Sequence, residues 1–303
     1  MKVKTVNLKI LTKQFLVGTF LLTVAATAIA QSPKPQRDST TSDDDSAEVL
    51  FSKGVQLYRL GSYLEAVDAF RSAATFSPGD VQIHNNLGVT LVRLKRYDEA
   101  VNALTQAIDL MPSFAISHVN LGRVLALLGR NADALAAFAR SIQIDPNYND
   151  AHRGLCEANI ALKQLREAIA CYENWTRLGP LDADSLGQYG DALIGTKQHE
   201  KAITILQKAS ILFPDNTNVL NVLGVAFLET KRYDKALAIL RRAVELKPDY
   251  KVARYNLALV QIALKNRAAA LEQYALLQRS NSDLAQQIYA IMFSKRLLVT
   301  KAR

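Results

Sequence analysis

The sequence is poor in the residues that build most catalytic and metal centres. It contains four histidines, two cysteines and one tryptophan in 303 residues. It has no HExxH helix and no glycine-rich phosphate loop, and no nucleophile has a recognisable base and orienting partner. We therefore expect no enzymatic activity, no metal and no cofactor.

Acidic residues are missing from the first thirty residues, which carry Lys2, Lys4, Lys9 and Lys13. An uncharged stretch follows, and Ala28-Ile29-Ala30 offers a small-x-small cleavage site. This pattern is typical of a secretory signal peptide, residues 1–30, cleaved after Ala30 to give a periplasmic or secreted protein. The alternative is an uncleaved anchor, but the run Gln14–Gln31 is short and weak for a span of about 20 apolar residues.

Later apolar runs of membrane-spanning length are also absent, so we expect no membrane span after cleavage. The formal charge of +9 depends in part on the leader, and its removal leaves 33 basic residues against 28 acidic ones. The remaining basic residues are scattered rather than clustered, which argues against nucleic-acid binding. Residues 31–46 have almost no apolar side chains, which predicts a disordered polar tether.

From residue 47 onward the sequence repeats every 34 residues. Alanine recurs without a break at Ala66, Ala100, Ala134, Ala168, Ala202, Ala236 and Ala270. Proline keeps the same spacing at Pro78, Pro112, Pro146, Pro180, Pro214 and Pro248. Each period holds two short amphipathic segments with helical spacing, and the proline ends the second because it lacks a backbone N–H. The prediction is an array of helix pairs.

These residues resemble the tetratricopeptide repeat family. Counted within each repeat, position 8 is small, position 20 is alanine and position 24 is large, as in Gly88, Ala100 and Leu104. The resemblance implies an all-α fold, a right-handed superhelical solenoid of seven repeats over residues 47–284. The predicted repeats are 47–80, 81–114, 115–148, 149–182, 183–216, 217–250 and 251–284. Residues 285–303 are expected to form a capping helix and tail.

Histidines occupy position 4 of three successive repeats, at His84, His118 and His152. Neighbouring repeats place them roughly a helix diameter apart, about 10 Å. A zinc ion needs ligands within about 2.1 Å. We therefore interpret them as packing residues.

The two cysteines, Cys156 and Cys171, lie at positions 8 and 23 of one repeat. In an antiparallel helix pair these positions fall within a turn of one another. Export would allow a disulfide to persist, which favours a bond between the two helices. A pair of buried thiols is the alternative.

The predicted partner-binding site is the groove of the solenoid. Successive helix residues are about 100° apart, so positions 2, 5, 9, 12 and 13 of each first helix face away from the packed side and line the concave surface. These side chains are apolar toward both ends and charged in the middle, and exposed apolar residues indicate a bound partner. The candidates are Phe51, Val55, Tyr58, Asn85, Val89, Val92, Arg123, Arg153, Glu157, Asp191, Asn221, Val225, Leu228, Tyr255 and Leu259. An incomplete row of asparagines at position 6, Asn86, Asn120 and Asn256, adds polar groups.

The function that follows is a non-enzymatic scaffold of the bacterial cell envelope, which binds a peptide or helix of a partner protein and is itself a monomer or weak oligomer. Two alternatives stay open. The chain is compatible with an accessory subunit that presents substrates to a separate envelope enzyme, and with a self-assembling structural protein. Repeat architecture alone does not separate these roles.

The state of the cysteines is testable on denatured protein. If Cys156 and Cys171 are bonded, alkylation without reductant will label neither cysteine, and alkylation after reduction will label both. Intact-mass measurement separates the two results. Labelling of both cysteines before reduction would show free thiols.

Overall fold

The computed structural model describes the backbone of residues 42–280 and 282–300. All of its regular secondary structure in these residues is helical. The expected signal peptide, residues 1–30, and the polar segment up to residue 41 lie outside the described residues. The helices are α1 Ser42–Leu60, α2 Tyr63–Phe76, α3 Val81–Arg93, α4 Tyr97–Leu110, α5 Ala115–Leu127, α6 Asn131–Ile144, α7 Asn149–Ala161, α8 Leu165–Trp175, α9 Ala183–Gly195, α10 His199–Leu212, α11 Thr217–Glu229, α12 Tyr233–Leu246, α13 Lys251–Ala263, α14 Arg267–Ser280 and α15 Ser282–Thr300.

The helices alternate between two kinds. We call α1 and the other odd-numbered helices through α13 the A helices, and the even-numbered ones the B helices. From α3 onward the A helices begin 34 residues apart, at Val81, Ala115, Asn149, Ala183, Thr217 and Lys251. The chain forms two compact units, of which unit 1 ends at Cys171 and unit 2 begins at Tyr172.

Two helix boundaries differ from the sequence-based expectation. Helix α1 begins at Ser42, so the last five residues of the expected tether, 42–46, are helical. Helix α15 begins at Ser282, three residues before the expected cap. Once packing holds one part of a helix, each added residue gains a backbone hydrogen bond, so helices extend past the apolar pattern that predicts them.

In five repeats the A–B pair closes through one tight contact at a glycine in position 8. A Cβ atom added to Gly88 would lie 2.6 Å from Cγ of Leu104, and one added to Gly224 would lie 2.4 Å from Cγ of Leu240. The large side chain at position 24 therefore fills the space that glycine leaves at position 8. Both leucines are fully buried, as are the alanines at position 20. The contact explains why the small and large residues recur together in the sequence.

Neighbouring repeats pack where the B helix of one repeat meets the A helix of the next, and their A helices also contact each other. In unit 1, α3 packs on α1 and α5, and α5 packs on α7. In unit 2, α11 packs on α9 and α13, and α15 packs on α13 as a further A helix would. Consecutive B helices make no comparable contact in the part of the chain that the structure describes. The A helices therefore form the inner face of each unit.

The A–B turns share one backbone conformation. Position 15 has a left-handed φ in every repeat, and five of the seven residues there are lysines with φ between 59° and 64°. Gly61 and Gly129 occupy the same position in the other two repeats. A left-handed residue is a common way to end a helix, and glycine adopts it without the Cβ clash that lysine tolerates.

The position-4 histidines stabilise the turns between repeats. Nε2 of His84, His118 and His152 lies 2.8, 2.9 and 2.8 Å from the carbonyl oxygens of Pro78, Pro112 and Pro146. Because a carbonyl oxygen only accepts, Nε2 carries the proton in each ring. Arg254 holds the same position in the last repeat, and its guanidinium donates to the Pro248 carbonyl at 2.5 Å. These side chains serve the fold.

Cys156 and Cys171 form a disulfide in the structure, with an S–S distance of 2.05 Å. The bond joins α7 to α8, and both residues are buried. It links the two helices of one repeat at the end of unit 1. A crosslink over a loop of this length restricts the unfolded chain and contributes about 3 kcal/mol to stability.

Unit 2 begins with an aromatic cluster. Trp175 is buried and stacks on Tyr172, which also stacks on Tyr189. Helix α8 ends at Trp175 after 11 residues, whereas α10 has 14. Most other repeats have alanine at this position, and the larger indole coincides with the early end of the helix.

Ala202 tests the closure of a helix pair. Its side chain is fully buried where α10 packs on α9. The substitution Ala202→Leu will overpack this contact and lower the free energy of unfolding by about 1–3 kcal/mol. Denaturant unfolding measures the change, and Ala238→Leu on the exposed face of α12 is the matched control. Equal stability of Ala202→Leu and the wild type would contradict the packing described.

Lys231 tests the left-handed turn position. Lys231→Gly removes the Cβ clash and will raise the free energy of unfolding by about 0.5–1 kcal/mol. Lys231→Val introduces a β-branched side chain at positive φ and will lower it by about 1 kcal/mol or more. Thermal unfolding of the two variants decides the point, and the opposite order would contradict the assigned turn.

Candidate binding face of the A helices

The A-helix face of each unit is the surface formed by positions 2, 5, 9, 12 and 13 of its A helices. In unit 1 the apolar side chains on this face are buried to different degrees. Tyr58 and Val89 are buried in the core, whereas Phe51, Val55 and Val92 are half-buried and pack against it. The expectation that all of these residues stand free in a groove is therefore corrected. Only the half-buried ones offer surface to a partner, because the others are buried in the core.

Asparagines at position 5 accept hydrogen bonds from position-6 asparagines of the next repeat. Asn120 donates from Nδ2 to Oδ1 of Asn85 at 3.0 Å, and Ser117 donates to the same oxygen at 3.1 Å. Asn256 donates to Asn221 in the same way at 2.8 Å. All four asparagines are buried. They hold A helices together, which removes Asn85 and Asn221 from the surface that a partner can contact.

Asn86 completes the position-6 row differently. Its Nδ2 donates to the carbonyl oxygen of Gln82 at 2.9 Å within the same helix. The residue is buried. The position-6 asparagines therefore do not form a continuous row of free amides.

The charged residues of the unit 1 face have partners within the chain. Arg123 pairs with Asp150 at 2.9 Å, and its side chain is only 13% exposed. This pair joins position 9 of one repeat to position 2 of the next, and Asp150 was not among the predicted site residues. Arg153 and Glu157 are half-buried, and each also interacts within the chain. A charged side chain at position 9 can therefore be neutralised by the side chain at position 2 of the next repeat.

Arg93 marks the edge of the unit 1 face. Its guanidinium donates to the Tyr63 hydroxyl at 2.9 Å and lies over the Tyr63 ring. Tyr58 packs edge-on against Tyr63, with ring centroids 5.4 Å apart. Burial raises the pKa of the Tyr58 hydroxyl to about 12. This hydroxyl is neutral at physiological pH.

In unit 2 the apolar side chains follow the same division. Val225 and Tyr255 are buried, whereas Leu228 and Leu259 are half-buried. The Tyr255 hydroxyl is buried without a hydrogen-bond partner among the described residues. Burial raises the pKa of that hydroxyl.

Asp191 differs from the charged residues of unit 1. The side chain is exposed to solvent, and the described residues provide no ion-pair partner for it. Protein nevertheless surrounds the carboxyl group closely, and the resulting desolvation raises its pKa above the usual range. The nearby Tyr250 hydroxyl also has a raised pKa, caused first by burial and then by the Asp191 charge. Asp191 is thus an accessible carboxylate without a compensating cation.

Among the described residues, no three His, Cys, Asp or Glu side chains are grouped in a way that would hold a metal ion. None of the described helices combines the length and apolar character required to cross a membrane. The accessible chemistry of the A-helix faces therefore consists of half-buried apolar side chains and a few charged groups. Such surfaces bind other chains by apolar contact and charge pairing.

Solved structures with the same fold resemble this chain. A tetratricopeptide repeat protein from Parabacteroides merdae superposes with a TM-score of 0.62 at 13% identity, covering 82% of this chain and 98% of its own. The C-terminal part of a repeat protein from Cytophaga hutchinsonii gives 0.64 at 16% identity, covering 78% and 98%. YrrB, described as a repeat protein with an unusual peptide-binding site, gives 0.52 at 24% identity, covering 62% and 97%.

No curated protein is significantly similar in sequence. Three family models, each described as tetratricopeptide repeat, match the chain. The first matches residues 36–81 and 85–149, the second residues 181–249, and the third residues 125–186 and 227–292. Their matches together extend over most of the residues that form the helix pairs. The chain belongs to the tetratricopeptide repeat family.

Proposed function

We propose that this chain is a non-enzymatic scaffold of the bacterial cell envelope that binds a peptide or helix of a partner protein on its A-helix faces. The observation that carries the proposal is the surface of these faces, where half-buried apolar side chains lie beside charged groups. Val55 and Val92 provide such surface in unit 1, and Leu228 and Leu259 provide it in unit 2. The tetratricopeptide repeat family consists of interaction scaffolds, and the peptide-binding site named for YrrB supports the same mode here.

Export supports the envelope part of the proposal. The lysine-rich leader, the uncharged stretch after it and the Ala28-Ile29-Ala30 site favour secretion. The Cys156–Cys171 disulfide agrees with this location, because disulfides persist in the periplasm and outside the cell but are rare in the cytosol. These observations support the proposal of a periplasmic or secreted scaffold.

Cross-linked capture from envelope extract tests the binding face. We expect the mature chain to retain a partner that is lost with one of two double variants. The first variant combines Val55→Lys with Val92→Lys, and the second combines Leu228→Lys with Leu259→Lys. Lysine is suited to this purpose because its aliphatic stem keeps contact with the apolar wall while the ammonium group enters the groove. The two double variants report separately on unit 1 and unit 2.

The matched control is Leu212→Lys, Leu246→Lys, which adds the same charges on exposed leucines of α10 and α12. Helical circular dichroism and the unfolding midpoint establish that each variant is folded. Equal capture by all folded variants would move the binding site away from the A-helix faces. Capture that fails even for the wild type, together with a mass in solution that rises with concentration, would instead favour self-assembly.

A further inference from the structure

The A-helix face of unit 2 carries charge of one sign. At positions 2, 5, 9, 12 and 13 of α9, α11 and α13 the charged residues are Asp184, Asp191 and Glu229, with no lysine or arginine. The corresponding positions of unit 1 hold four arginines beside three acidic residues. The two faces therefore differ in charge, and the negative charge of the unit 2 face favours a cationic group on a partner.

Asp191 is the group on this face best suited to bind a cation. It is exposed and has no ion pair among the described residues, whereas Arg123 on the unit 1 face is already neutralised by Asp150. Protein around the carboxyl group reduces its hydration, which makes the uncompensated negative charge unfavourable. An ammonium or guanidinium group from a partner would compensate this charge with a charge-assisted hydrogen bond.

Apolar surface continues along the same face from α11 to α13. Leu228, Leu259 and Ile262 are half-buried on α11 and α13. On α15, Tyr289 is 47% exposed, and its ring stacks on the half-buried Phe293 at a centroid distance of 4.5 Å. Tyr289 also packs on Tyr274, and the Arg267 guanidinium lies over the Phe293 ring, so these rings lie against α14 rather than on the A-helix face.

A second polar group on the face is unsatisfied. The Tyr255 hydroxyl, at position 5 of α13, is buried and has no hydrogen-bond partner among the described residues. The whole residue is 2% exposed. An unpaired buried hydroxyl is costly. This hydroxyl is covered by protein, so a bound chain contacts Asp191 and the half-buried side chains instead.

We propose that the A-helix face of unit 2 binds a peptide segment of a partner protein in which one lysine or arginine stands beside a run of alternating apolar residues. The cation pairs with Asp191, and the apolar side chains lie over Leu228, Leu259 and Ile262. The inference rests on the proposed function, since it specifies the chemistry of the partner that the scaffold binds.

Calorimetric titration of the mature chain with short synthetic peptides tests this chemistry. The probe is acetyl-Gly-Lys-Leu-Ser-Leu-Ser-Leu-Gly-amide, whose blocked ends leave lysine as its only charge. One comparison peptide has glutamate in place of lysine, and a second has serine in place of each leucine. We expect the probe to bind at least about tenfold more tightly than either comparison peptide, a difference of about 1.4 kcal/mol.

Variants of the protein locate the site. Asp191→Asn keeps the size of the side chain and will weaken binding of the probe about tenfold, since it removes one charge-assisted hydrogen bond. Asp234→Asn removes the same charge from an exposed residue of α12 and serves as the matched control, with unchanged affinity expected. Leu259→Ser will weaken binding of the probe but will not change binding of the peptide in which serine replaces each leucine.

Equal affinity of folded Asp191→Asn and the wild type for the probe would overturn the inference, as would equal binding of the glutamate peptide. Those results leave the proposed function intact if envelope capture is still lost with Leu228→Lys, Leu259→Lys. Capture that no A-face variant changes would reject the proposed function whatever the peptide affinities. The two failures are therefore distinguishable.

Discussion

The structure depends on the contact between the small residue at position 8 of each A helix and the large side chain at position 24 of the following B helix. Because glycine leaves no Cβ at this point, Leu104 and Leu240 lie directly against the backbone of the neighbouring helix. The buried alanines at position 20 allow the same close approach from the B helix. With each pair closed in this way, one side of every A helix is left to pack on the next repeat.

Packing between repeats determines what remains available for binding. The A helices contact one another, and the buried pairs Asn85–Asn120 and Asn221–Asn256 hydrogen-bond across these contacts. The A-helix faces thus contain both side chains that pack between repeats and side chains that remain partly exposed. Side chains such as Val89 and Tyr255 are covered, whereas Val92, Leu228 and Leu259 keep part of their surface. In the proposed function the second group contacts the partner, and the first group packs beneath it.

The two units differ in whether the charged residues of their A-helix faces have ion-pair partners. In unit 1, Arg123 and Asp150 of adjacent repeats neutralise each other. In unit 2 the acidic residues of the A-helix face have no cation at the equivalent positions, and Asp191 stays exposed in surroundings that raise its pKa. A repeat array changes its surface chemistry from one repeat to the next without altering the contacts that hold it together, because stability resides in the repeats and their interfaces.

The sequence by itself determined the helix pairs, their 34-residue period and the positions that pack, because burial at helical spacing and a recurrent proline leave a direct record in the residue pattern. It also placed Cys156 and Cys171 within reach of one another, since both belong to a single helix pair. Only the tertiary structure decided which groove side chains are free. The exposed surface of Val89 or Val92, the pairing of Arg123 and the isolation of Asp191 depend on how closely the next A helix approaches, and that distance is set by contacts between residues about one repeat apart.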